Sequence, residues 1–162
     1  VSLRAATAGD APAVTDLMQR AYRVYLPRMA GAVPAPMQED YGALIAGGLV
    51  TLLMCGPALA GVLVLRPAAD HLLLDNVAID PAWQGRGFGR LLVAHAEDEA
   101  RRRGLREVRL YTHETMVENQ ALYRRLGFAE TGRAEQAGLR RVFMAKAVPP
   151  APEREEPPGQ LP

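Results

Sequence analysis

The sequence predicts a single α/β domain, a mixed sheet flanked by helices, on three observations. Two apolar runs of strand length, 49–54 and 58–65, flank Gly56-Pro57 and read as an antiparallel hairpin. A third apolar run, 71–79, passes through a glycine-rich turn into a segment of helical periodicity and then into another strand, the order of an α/β unit. The length, 162 residues of which 49% are hydrophobic and 23% charged, suits one globular core.

Each element has a local cause. Residues 2–6 form a first strand, and Asp10 caps a helix with Pro12 in its first turn. Val14, Leu17, Met18, Ala21 and Tyr22 recur at helical spacing. Pro27, Gly31, Pro34 and Pro36 make 27–36 irregular, and a short helix over 37–46 stops at Gly47-Gly48. The hairpin follows, and then the third strand, whose first half is too apolar for an exposed edge and is covered on both faces.

A helix over 88–103 ends at Gly104, with Phe88, Leu91, Leu92, Ala96 and Ala100 inward and Glu97, Asp98 and Glu99 toward water. A strand over 107–112, a helix over 119–126 closed by Gly127, and a last hairpin of 129–134 with 139–147 complete the domain at residue 148. From Pro149 the proline- and glutamate-rich sequence buries too little apolar surface to fold alone, so 149–162 is expected to be a flexible tail.

Composition excludes several functions. A formal net charge of +1 offers no field to recruit nucleic acid or an anionic membrane, and the arginines at 101–103 read as a solvated helix end. A single cysteine, Cys55, rules out an internal disulfide and a cysteine-built zinc cluster, and His71, His95 and His113 lack metal-ligand spacing, so no metal is expected. No stretch approaches the roughly 20 apolar residues of a membrane span, and Arg4, Asp10 and Asp16 interrupt any signal core, which predicts a cytoplasmic protein.

The chemistry concentrates at 77–92. An apolar strand ends at Asp80-Pro81, glycines stand at 85, 87 and 89, and a helix opens at once, so free N–H groups and the helix dipole converge where a diphosphate fits. A P-loop is excluded because Gly-Lys-Ser/Thr is absent, and a dinucleotide fingerprint because Arg90 holds the place of its third glycine.

Gln84-Gly85-Arg86-Gly87-Phe88-Gly89 resembles the Gln/Arg-x-x-Gly-x-Gly/Ala signature of the GNAT superfamily, the Gcn5-related N-acetyltransferases. Asn119 to Phe128, with Leu122-Tyr123 and Gly127-Phe128, resembles the helix called motif B, about 35 residues after the first patch. The resemblance is close over 72–130. It implies a mostly antiparallel central sheet of about six to seven strands with a splayed parallel pair, flanked by about four helices.

It also implies an enzyme that moves an acetyl group from acetyl-CoA to a primary amine of a small molecule or a protein terminus, through a tetrahedral intermediate. Another acyl group or acceptor, and a non-catalytic acyl-CoA-binding module, remain as alternatives. By the resemblance, Val77, Ala78 and Ile79 hold the pantetheine through main-chain groups, with the Ala78 N–H at the oxyanion. Gln84, Gly85, Arg86, Gly87, Phe88, Gly89 and Arg90 take the diphosphate. Tyr123 stands beside the sulfur as general acid, against a purely packed tyrosine.

The coenzyme-contacting asparagine of many members falls at Met116, seven residues before Tyr123, so its role passes to Asn119, with a helix cap competing. Asp75, His113, Glu114 or a water chain supplies the base. In GNAT proteins residues 22–48 lie over the acceptor. Tyr25, Arg28, Met29 and Tyr41 are therefore acceptor candidates, while core packing takes precedence for Tyr22 and Met37. A homodimer is common for the fold.

Overall fold

A computed structural model of the chain describes residues 1–150 together with 152 and 159, so most of the tail expected from Pro149 lies outside the described residues. The strands are β1 (Ser2–Ala5), β2 (Val50–Cys55), β3 (Ala58–Pro67), β4 (Leu72–Ile79), β5 (Glu107–His113), β6 (Ala129–Gln136) and β7 (Leu139–Ala147). The helices are α1 (Ala11–Tyr22), α2 (Tyr41–Ala46), α3 (Phe88–Arg102) and α4 (Val117–Arg125). The strands form one seven-stranded sheet in the order β1-β2-β3-β4-β5-β7-β6. Every pairing is antiparallel except β4 with β5.

That parallel pair holds for two residues. Leu72 registers with Val108 and Leu73 with Arg109, and beyond them the strands diverge, leaving a split between the C-terminal halves. β7 occupies the other side of β5 from Glu107 to His113 and does not fill it.

Period-two alternation distributes β3 between two cores. Val62 and Val64 pack with α1 and α2, while Leu63 and Leu65 pack with α3 and Tyr123 of α4. β4 changes face partway. Val64 pairs with Asn76 but Leu65 with Leu74, so Asp75 is the extra residue of a bulge. Leu72 and Leu74 before it, and Val77 and Ile79 after it, consequently all turn to the α3 core.

Several elements differ from expectation for identifiable reasons. Asp10 stands before α1 but does not cap it. Its carboxylate takes the Thr7 N–H (2.8 Å) and two Arg4 bonds (2.8 and 3.0 Å), closing the 3-10 turn Ala8–Asp10. The helix expected from residue 37 begins at Tyr41, because Asp40 takes the Ala43 N–H (3.1 Å) and Ala35–Met37 is a separate 3-10 turn.

On α3, Leu92, Ala96 and Ala100 are buried and Phe88 packs against the same core as expected, but Leu91 is 36% exposed and Val93 is buried in its place. Glu97 does not face open water, since it pairs with Lys146, which also donates to Leu126 O (2.7 Å). The last hairpin turns on Ala137 and Gly138, both at positive φ, the two-residue turn whose twist suits antiparallel strands. Among the described residues no helix is long and apolar enough to cross a membrane, and no cluster of three or more His, Cys, Asp or Glu side chains is arranged to hold a metal.

Candidate active site

The turn after β4 is built residue by residue. Asp80 closes the 3-10 turn Pro81–Trp83, taking the Ala82 N–H on Oδ1 (2.9 Å) and Arg20 of α1 on Oδ2 (2.6 Å). Burial pushes the Asp80 carboxyl up, but Arg20 and the Ala82 N–H outweigh it and hold the group below the usual carboxylate range. Gln84 turns back and donates to Ile79 O (3.3 Å).

Gly85 and Gly87 have φ of +79° and +80°, and a Cβ on either would meet nothing within 4 Å. Left-handed backbone requires glycine there, and the space in front stays open for a ligand. Gly89 differs. It is helical, and its missing Cβ would lie 3.6 Å from Leu122, so it widens the approach without any demand on φ. Leu91 N–H bonds to Gly87 O (3.2 Å), which leaves the N–H groups of Phe88, Gly89 and Arg90 directed out of the helix start.

The split supplies a second set of donors. Asp80 N–H donates to Ala60 O of β3 (2.9 Å), so alternation turns the N–H of Ala78 toward β3 as well and those of Val77 and Ile79 toward the split. The oxyanion role expected of the Ala78 N–H is therefore corrected: its donor is committed to the sheet, and Val77 and Ile79 carry the open ones.

Two cavities meet here. A groove of about 700 Å³ runs from the glycine turn along the open end of β4. A smaller cavity of about 70 Å³ lies between the split, α2 and the segment preceding it. Tyr22, Val77, Asn119 and Tyr123 line both. Of the residues expected to hold the coenzyme, Arg86 alone does not line the groove, since its guanidinium stacks 4.7 Å over the Trp83 ring.

Tyr123 is placed by the way α4 ends. Gly127, at φ +96°, donates to Arg124 O (3.1 Å) and Phe128 N–H to Tyr123 O (3.0 Å), the paired bonds of a Schellman motif. The motif brings the Phe128 ring edge-on to Tyr123 at 5.8 Å. Tyr123 as a whole is only 7% exposed, and its hydroxyl, which bonds to none of the described residues, is not sealed off, since Tyr123 lines both cavities. Asn119 lies in the first turn of α4 and not at its cap, which is Met116, so the competing cap role is removed. Tyr25 Oη lies 3.5 Å from Asn119 Oδ1, and the Met116 sulfur is buried beneath.

Residues 12–128 match the acetyltransferase (GNAT) family. The chain belongs to the GNAT acetyltransferase family. It is 31% identical over 121 residues to a [ribosomal protein bS18]-alanine N-acetyltransferase of Salmonella typhimurium, across 75% of this chain and 76% of that protein. Among solved structures, PaiA N-acetyltransferase from Thermoplasma acidophilum in complex with coenzyme A superposes with a TM-score of 0.75 at 18% identity, over 90% of this chain and 98% of that one. The ribosomal-protein-S18-alanine N-acetyltransferase of Escherichia coli gives 0.71 at 23% identity, over 94% and 97%. At these identities the two structures establish the fold. This GNAT protein is an N-acetyltransferase that uses acetyl-CoA, and its positive-φ glycines, helix-start N–H groups and open split match what the diphosphate and pantetheine need.

The residues expected at the acceptor of this GNAT acetyltransferase separate clearly. Met29 and Tyr41 line the smaller cavity, Tyr25 lines the groove, and Tyr22 lines both while also packing in the core. Met37 lines neither. Arg28 is committed elsewhere: its guanidinium meets both Glu118 oxygens at 2.7 Å and stands 5.4 Å over the Tyr25 ring.

Among the candidate bases, Asp75 lines the smaller cavity, with Oδ2 bonded by Arg66 (2.9 Å) and Oδ1 by the Tyr111 hydroxyl (2.8 Å). Burial and then Asp75 push the Tyr111 hydroxyl up to about 12, so it remains a donor. His113 also lines the cavity, but Thr115 N–H donates to its Nδ1 (3.2 Å), which puts the neutral ring's proton on Nε2. Burial lowers the His113 pKa, Glu114 opposes and Arg140 adds to the shift. Glu114 lines neither cavity and pairs with Arg133 and Arg140.

Sequence reasoning missed Asn76, Tyr111 and Arg66. A hint of the first was present: Asp75-Asn76 places two consecutive polar residues in an otherwise apolar strand, which interrupts the pattern without saying which way either side chain turns.

Proposed function

We propose that this enzyme transfers an acetyl group from acetyl-CoA to a primary amine, of a small molecule or a polypeptide terminus, by direct attack on the thioester. The observation that carries this is the meeting of the coenzyme groove with a second cavity at Val77 and Tyr123. The amine nitrogen forms its bond to the carbonyl carbon, and the oxyanion takes one of the two N–H groups that β4 leaves open, at Val77 or Ile79, while the other is left for the pantetheine chain. The nitrogen loses its proton to Asp75, directly or through one water. The C–S bond then breaks and the thiolate takes the Tyr123 proton.

A polypeptide terminus is supported as acceptor by the Salmonella typhimurium relative, named for an alanine of ribosomal protein bS18. Residues 1–148 supply every group named and form the domain that carries the reaction. The test is thiol release from acetyl-CoA with a panel of amines. Release that depends on the acceptor is expected; tight coenzyme binding with no acceptor-dependent release would overturn the reading.

A further inference from the structure

Asp75 and Asn76 are consecutive in β4, yet both line the acceptor cavity. In a regular strand they would face opposite sides of the sheet, and the bulge at Asp75 brings them to one side. Their hydrogen bonds leave capacity over. Each Asp75 oxygen takes one donor, from Arg66 or from Tyr111, and a carboxylate offers about four lone-pair sites.

Asn76 is 7% exposed, and its Oδ1 accepts the Tyr22 hydroxyl at 2.5 Å. Among the described residues nothing accepts from its Nδ2, yet no fully sealed side-chain nitrogen or oxygen there lacks a partner. Nδ2 therefore keeps an opening, and that opening is the cavity. The Tyr22 bond also orients the carboxamide, holding its oxygen toward α1 and leaving its Nδ2 donors to the cavity.

We propose that Asp75 and Asn76 form a subsite for acceptors that bear a primary amine and a carbonyl on one carbon, as at the amino end of a polypeptide or in an amino acid amide. This rests on the acetyl-transfer reading and narrows its acceptor. Asp75 attracts the ammonium, and Asn76 Nδ2 donates to the carbonyl oxygen. An alkylamine or a lysine side chain brings only methylenes to the same place, so it strips water from the buried donor and returns no bond.

The test compares kcat/KM for glycinamide and for propylamine, which keeps the length but lacks the carbonyl. Each value is expressed per neutral amine, because an α-amino group titrates about two to three units below an alkylamine. The native enzyme is expected to prefer glycinamide by about tenfold or more, and Asn76→Leu, of similar volume, to lower that preference by about tenfold with the coenzyme A Kd within about threefold. If Asn76→Leu does not fold, Tyr22→Phe keeps the ring and frees the carboxamide to rotate, lowering the preference by about threefold. Equal use of both amines by the native enzyme, or an unaltered preference in the variant that folds, overturns the subsite and leaves acetyl transfer standing. Absence of acceptor-dependent thiol release with any amine overturns the transfer reading, and the subsite with it.

Discussion

Tyr123 shows how much a single residue's surroundings decide. Burial, and then the nearby Tyr25, push its pKa well above the ordinary tyrosine value, so the phenol keeps its proton throughout the working range. Tyr123→Phe is expected to lower kcat by about 100-fold, the low end for a positioned acid, and to change the coenzyme Kd by less than about twofold. Steady-state thiol release and calorimetry separate the two effects; an unchanged kcat would remove the acid role.

At the scale of the element, two glycines with positive φ serve different purposes. Gly127 ends α4, and a Cβ there would lie 3.1 Å from Lys146 Cε, so Gly127→Ala adds crowding to strained backbone. It is expected to cost about 1–2 kcal/mol in denaturant unfolding and to lower kcat, because the motif that seats Tyr123 shifts. Gly87 faces open space, and Gly87→Ala is expected to weaken coenzyme A binding by about tenfold while costing only about 1 kcal/mol of stability.

Both glycines were legible in the sequence, as were the hairpins and the helix behind the turn, because period and punctuation are local signals. The orientation of the Ala78 N–H was not, since it depends on how β4 registers against β3. Nor was the engagement of Arg28, whose partner Glu118 stands 90 residues along the chain. The bulge was missed because two polar residues in a strand do not say which way their side chains are turned.

The whole molecule is a sheet with a core on each face, and Arg20 ties α1, on one face, to Asp80 at the start of the glycine turn. The folded Asp80 carboxyl titrates below its unfolded value, so its stabilisation is complete above about pH 4 and is lost as pH falls through the folded pKa. Asp80→Asn is expected to lower stability at pH 7 by about 1–2 kcal/mol and to flatten the pH dependence below pH 4, measured by denaturant unfolding across pH. His113 acts higher. Its lowered pKa means that the unfolded chain protonates first, so its contribution is present above about pH 6.5 and fades on acidification below that.

The two-rung pairing of β4 with β5 has a thermodynamic corollary. Main-chain amides that a neighbouring strand would normally saturate are left for water or a ligand to satisfy. Excess coenzyme A at about 100 times its Kd is expected to add about 2.7 kcal/mol to unfolding. Hydrogen–deuterium exchange is expected to slow most at Val77 and Ile79, where the ligand finishes a seam the polypeptide leaves undone.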